Sequence, residues 1–238
     1  MQRPFGANPF QCPHLKVGCS HPGLDGPEWM LDGFAPLAHL LRMLAERGLD
    51  VSYETIRRWF LKFGSVIAAN LRRARPRPSD HWHLDEMVIV IQRKHYWLWR
   101  AVDNEGEVLD FLVQRRRNTK AARKLMRKLL KTQGFAPSRV VMDKLRSYPS
   151  AFRAIGLAAE HDRGLRANNR VENSHQSVRR RERKLQNFKS PGSARHFLSI
   201  HSATYNTFYH QRHLLKRPIL KELRNASFDV WQSASVAA

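Results

Sequence analysis

The chain of 238 residues carries 42 Lys+Arg against 20 Asp+Glu, a formal net charge of +22. Its 42% hydrophobic and 10% aromatic content excludes wholesale disorder, and its length supports one to three domains with a packed core. No apolar run approaches the roughly 18 residues of a membrane span, the opening residues lack a signal pattern, and 2 cysteines make no disulfide scaffold, so a cytoplasmic protein without a membrane partner is expected.

So large a basic excess calls for a polyanionic partner. Nucleic acid fits better than a membrane surface, because the basic residues are spread among aromatics and helices. Residues 1–36 are rich in Pro and Gly (Pro4, Gly6, Pro9, Pro13, Gly18) and show little periodicity, which reads as an irregular segment. Within it Cys12, His14, Cys19 and His21 bring zinc-type ligands together. Their spacing is that of no common finger, and coincidence in a loose segment is the preferred reading.

From Leu37 the pattern turns helical. Leu37, Leu40, Leu41 and Leu44 make one apolar face, and Gly48 ends it. Ser52 is a natural N-cap for a second helix from Tyr53 to about Phe63, with Ile56, Trp59, Phe60 and Phe63 on one side. An ordinary helical hairpin has this pattern, and so does a helix-turn-helix over residues 37–64. In the latter the second helix enters the major groove, presenting Tyr53, Glu54, Arg57, Arg58 and Lys62. Residues 65–81 read as a basic linker, interrupted by Pro76 and Pro78.

Residues 82–190 read as an α/β core with a mixed sheet. Strands are predicted over Trp82 to Ile91, His95 to Val102 and Val108 to Val113, with a turn at Asn104-Glu105-Gly106. A basic amphipathic helix follows, about Thr119 to Lys131, with Ala122, Leu125, Met126 and Leu129 inward. Then come a strand at Arg139 to Met142, a helix near Pro149–Ile155, a short strand near Ala158–His161 and a helix from Asn169 to about Gln186. Residues 191–238 read as a helical tail of one or two helices, interrupted at Pro218, whose His and aromatic residues suit packing on the core or an interface between copies, with packing the preferred reading. Three strands, helix, strand, helix, strand, helix is the element order of a ribonuclease-H-like domain.

Three acids stand apart from the surface charges. Asp85 lies inside the first core strand, Asp143 ends the fourth, and Glu172 opens the last core helix. Carboxylates beside buried strands are costly unless paired or metal-bound. If the three converge, they repel one another, and a divalent cation removes that penalty. Hard oxygen ligands select Mg²⁺ or Mn²⁺. Two such ions about 3.5–4 Å apart activate an attacking oxygen and stabilise the leaving oxygen of a phosphodiester. After Glu172, the residues His175, Gln176, Arg179 and Arg183 fall on its helical face, and Arg180 adds to a basic run that circles the helix.

These motifs resemble a known family. Trp82-His83-Leu84-Asp85-Glu86, Tyr96-Trp97-Leu98-Trp99-Arg100-Ala101-Val102-Asp103, Val141-Met142-Asp143-Lys144 and Asn168-Asn169-Arg170-Val171-Glu172-Asn173 resemble the core of insertion-sequence transposases, most nearly insertion-sequence family six. The resemblance runs from about Leu44 to Trp231. It implies a DDE integrase-like core on a ribonuclease-H fold, with Asp85, Asp143 and Glu172 as catalytic and metal-binding residues. It also implies Mg²⁺ or Mn²⁺, two ions, and strand transfer of element ends through co-integrates. Arg179 matches the family's basic position seven residues past the glutamate. Lys144, Arg180 and Arg183 join Tyr53, Arg57, Arg58 and Lys62 as DNA-binding candidates. Terminal inverted repeats and target DNA become the partners, and the handling of two ends implies a homo-oligomer. Residues 1–43 depart from the family's usual apolar opening. That departure keeps two alternatives in view: a decayed transposase, and a helix-turn-helix regulator without catalysis. A nuclease that only hydrolyses would need no helix-turn-helix.

Overall fold

The computed structural model describes residues 45, 46, 48–142, 147–157, 159–162, 169–184, 187–210 and 214–238. The chain divides into two units. A helical unit comprises Met1–Arg75 with Ala203–Ala238, and a sheet unit comprises Pro76–Ser202. The Cys12, His14, Cys19 and His21 set and the first helix of the expected helix-turn-helix fall outside the described residues.

In the helical unit, α1 spans Tyr53–Ala74. The Ser52 hydroxyl accepts from the Thr55 amide at 3.2 Å, which caps the helix as its sequence suggests. The helix does not stop near Phe63. It runs on through residues expected to be linker, because Gly64, Ile67, Ala68 and Leu71 continue a buried stripe. Packing outweighs the roughly 1 kcal/mol that a glycine costs a helix interior. Arg75 turns extended (φ −68°, ψ 139°), as a residue before proline should, and Pro76 follows. The partner of α1 is α6, Arg217–Val236, reached where the Asn70 amide donates to the Ala234 carbonyl at 2.9 Å. Pro218 does not interrupt this helix. It sits in the first turn, where no amide hydrogen is needed.

The sheet unit contains β1 (His81–Ile91), β2 (Lys94–Asp103), β3 (Val108–Gln114), α2 (Thr119–Gln133), β4 (Arg139–Met142), α3 (Ser147–Arg153), β5 (Glu160–Asp162) and α4 (Asn169–Lys184). Next comes α5, Pro191–Phe208, whose residues 191–202 belong to this unit. The strand order is β3-β2-β1-β4-β5. β1 to β3 form the antiparallel meander, while β4 joins β1 in parallel and β5 joins β4 in parallel. The α/β class and ribonuclease-H-like order are as the sequence predicts.

Local chemistry explains the connections. Gln92 and Arg93 make a two-residue hairpin with φ of 50° and 60°. At the next turn Asp103 Oδ1 accepts from the Glu105 and Glu107 amides (3.2 and 2.8 Å), and Gly106 supplies φ +89°. The Asn118 side chain caps α2, and Gly134 ends it with φ +75°, its amide N–H donating to the Leu130 carbonyl.

Strand parity divides the core in two. Trp82 and Leu84 of β1 pack with Trp99, Leu125, Met126, Tyr148 and Phe152, so α2 and α3 cover this face. Met87 and Ile89 point the other way, onto Leu98, Val178, Ala194 and Leu198, so α4 and the start of α5 cover the second. The core therefore runs past the expected boundary at residue 190, because Ala194 and Leu198 are part of its packing.

Leu125, fully buried against β1 and α3, tests the first layer. Leu125→Ala is expected to cost about 2–5 kcal/mol, read from urea unfolding followed by tryptophan fluorescence. A variant as stable as the parent would contradict this packing.

Candidate active site

β1 reads His-Trp-His-Leu-Asp-Glu-Met-Val-Ile-Val-Ile, so its acids Asp85 and Glu86 leave on opposite faces. Asp85 faces α4. Its side chain is 17% exposed, and His175 Nδ1 lies 3.4 Å from its Oδ2. Across the ladder, Asp85 stands opposite Arg100, which is almost completely buried. Val171, His175 and Val178, at spacings of four and three, fix the inner face of α4. Burial holds the His175 ring below its ordinary pKa, against the opposing pull of Asp85 and with help from the charge of Arg100.

Glu172 is exposed, in the first turn of α4, one helical turn before the histidine that touches Asp85. A carboxylate is favoured at that end of a helix. β4 pairs Met142 with Leu84, so the two parallel strands run side by side up to the residue before Asp85. Asp143 and Lys144 come next in sequence and lie outside the described residues. Among the described residues, no group of three or more His, Cys, Asp or Glu could hold a metal ion.

The basic run of α4 does not act as one stripe. Arg179, Arg180 and Arg183 are exposed, but His175 and Arg181 turn into the sheet unit. Glu182 also turns back, its Oε1 accepting the Val90 amide at 2.6 Å. Burial is the largest influence on that carboxyl and raises its pKa. The helical unit holds the other candidates. Tyr53, Arg57, Arg58 and Lys62 are all exposed on α1. Arg57 and Arg58 lie 3.0 and 3.5 Å from Glu54, an exposed pairing of little energetic weight. Lys62 Nζ lies 5.0 Å from the Phe63 ring centre.

On the opposite face of β1, Glu86 is sealed. Arg117 Nε donates to its Oε1 at 2.5 Å, and the Tyr148 hydroxyl donates to its Oε2 at 2.9 Å. The Arg117 guanidinium also lies 5.0 Å from the Trp97 ring centre. Burial raises the Glu86 pKa, opposed by both partners, and it lifts the Tyr148 hydroxyl well above its ordinary value. This network ties the start of α3 to the strand position beside Asp85. Sequence reading missed it, since Tyr148 is far from Glu86 in the chain. The one available signal was a second carboxylate in an apolar strand.

A family model described as the DDE domain matches residues 79–211. The chain belongs to this family of insertion-sequence transposases. The transposase for insertion sequence-like element IS431mec of Staphylococcus aureus (strain Mu50) is 26% identical over 153 residues, covering 62% of this chain and 68% of that protein. The transposase for element IS257 in transposon Tn4003 of Staphylococcus aureus shows the same 26% identity over 153 residues, with the same 62% and 68% coverage. Among solved structures, the HTLV-2 integrase catalytic core domain in complex with magnesium superposes with a TM-score of 0.42 at 14% identity, covering 55% of this chain and 86% of that chain. The catalytic domain of Mos1 mariner transposase gives 0.39 at 10% identity, covering 74% and 93%.

In this DDE-domain chain the buried Asp85 face also holds His201 of α5, its ring centre 5.5 Å from that of Phe197. Burial, then the charges of Arg100 and Arg181, hold His201 well below its ordinary pKa. The folded state keeps this ring neutral while the unfolded chain protonates near pH 6.5. The unfolded state thus binds more protons, and stability falls as pH drops below about 6.5. His201→Gln is expected to flatten that fall in urea titrations between pH 7 and 5. An unchanged slope would contradict the assignment.

Proposed function

We propose that this chain is a DNA transposase of insertion-sequence family six that cleaves and joins the ends of its element, with Asp85, Asp143 and Glu172 as its catalytic carboxylates. One observation carries the reading: within the DDE-domain match, His175 brings the first turns of α4 against Asp85, one turn beyond Glu172. Asp85 is half-buried and Glu172 is open to solvent, so the site faces a large substrate.

The donor set fits a hard divalent cation, since it is made of carboxylate oxygens. Two Mg²⁺ or Mn²⁺ ions bound by Asp85, Asp143 and Glu172 would supply Lewis acidity to the phosphodiester and lower the pKa of the attacking water or 3′-hydroxyl. The protein's own groups do the positioning. His175 holds the Asp85 carboxylate from α4, and Arg100 stands opposite Asp85 on β2. Arg179, Arg180 and Arg183, with Lys144, run along the phosphates of the bound end. Tyr53, Arg57, Arg58 and Lys62 read the terminal inverted repeat from the second helix of a helix-turn-helix. Processing of two ends together, and their joining to target DNA through a co-integrate, requires a homo-oligomer. The protein works in the cytoplasm, where its DNA is.

The test is strand transfer of a labelled element end in Mg²⁺. The parent chain is expected to join it, while Asp85→Asn and Glu172→Gln fall to background and keep their duplex binding. Parent-level joining by either variant would overturn the carboxylate assignment. Duplex binding without joining by the parent would favour a regulator or decayed enzyme.

A further inference from the structure

The segment from Arg115 to Gln133 contains no acid. Arg117 is taken by Glu86, and Lys128 by Asp110 at 2.6 Å. Arg115, Arg116, Lys120, Lys124, Arg127 and Lys131 are exposed. Four of these, Lys120, Lys124, Arg127 and Lys131, form one stripe on the outer side of α2, spanning about 16 Å at 1.5 Å per residue. The arrangement works against the helix itself. Lys120 and Lys124, and Arg127 and Lys131, are like charges one turn apart, which destabilises a helix. Basic residues also occupy the N-terminal half, where the helix dipole favours acids. A bound polyanion reverses both penalties.

The stripe lies away from the candidate active site. The inner side of α2 packs on the Trp82 and Leu84 face of β1, whereas Asp85 faces α4 on the other side. A duplex lying against Asp85 and Arg179 therefore has the sheet between it and this stripe. A membrane surface would need an apolar face beside the charges, and the apolar face of α2 is buried in the core.

We propose that the exposed basic face of α2 binds the phosphate backbone of a second DNA duplex, separate from the one held at Asp85. This rests on the reading of the chain as an enzyme acting on DNA, and it assigns α2 to the second duplex of the joining reaction. The contacts are to phosphates, so this binding carries no sequence preference and is strongly salt-dependent.

The full-length chain, a variant combining Lys120→Gln, Lys124→Gln, Arg127→Gln and Lys131→Gln, and a second combining Arg115→Gln with Arg116→Gln are titrated with a duplex lacking element ends across a range of NaCl. The plot of log K against log salt should become shallower by roughly 0.9 for each phosphate that is no longer neutralised, about 3 to 4 for the α2 variant and up to about 2 for the other. Because the second variant lies outside the helix, a folding defect in α2 does not decide the result. An unchanged slope in the α2 variant would overturn the proposal. A photo-crosslinking residue introduced at Lys124 or at Arg183 then separates the duplexes. With a labelled end pre-bound, Lys124 should capture the added duplex and Arg183 the end. Capture of the end alone from both positions would overturn it. Asp85→Asn run in parallel should keep the parent's salt slope while losing joining, so failure of the α2 assignment and failure of the catalytic reading give different results.

Discussion

Two consecutive carboxylates on a central strand must leave on opposite faces of the sheet, and each needs its own compensation. Much of the sheet unit is arranged around that constraint. Glu86 is answered from one side by Arg117 and Tyr148, which brings the start of α3 against β1. Asp85 is met from the other by His175, which brings α4 against the same strand, and it stands opposite Arg100 in the β1–β2 ladder. The Glu86 side chain is sealed from solvent, whereas that of Asp85 keeps 17% of its surface exposed. Their difference lies in access to solvent and not in residue type.

The same division organises the charge. Buried cations, Arg100 and Arg181, lie on the Asp85 side and are held with neutral histidines, whose protonation burial resists. In the sheet unit, two helices that cover opposite faces, α2 and α4, both carry cations left in solvent. Such a distribution is what the proposal of two DNA duplexes on opposite sides of the sheet requires. It is also why net charge alone said so little about mechanism. A count of basic residues does not separate those inside the fold from those that meet phosphate.

Much of this was legible in the sequence, for physical reasons that can be named. The strands β1 to β4 show as apolar runs because both faces of the sheet are covered, and Asp85 stands out as an acid inside one. The Ser52 cap and the turn at Asn104-Glu105-Gly106 follow local hydrogen-bonding rules. Other features depend on distant partners. The Gln92-Arg93 hairpin lacks the usual Asn-Gly signal, and pairing of the flanking strands imposes its backbone. The continuation of α1 past Gly64 is set by its buried stripe, and the entry of α5 into the core by the Met87 and Ile89 face of β1 that it covers. On α4, helical spacing placed His175 beside Glu172 but could not say that one would turn inward and the other outward.

The central claim is that Asp85 and Glu172 serve one divalent ion site. Direct measurement of Mn²⁺ binding by electron paramagnetic resonance on the full-length chain tests it without DNA or turnover. Bound Mn²⁺ should be lost or greatly weakened in Asp85→Asn and in Glu172→Gln, and retained in Glu182→Gln, whose acid faces Val90. Equal Mn²⁺ binding by the parent and both site variants would contradict the account.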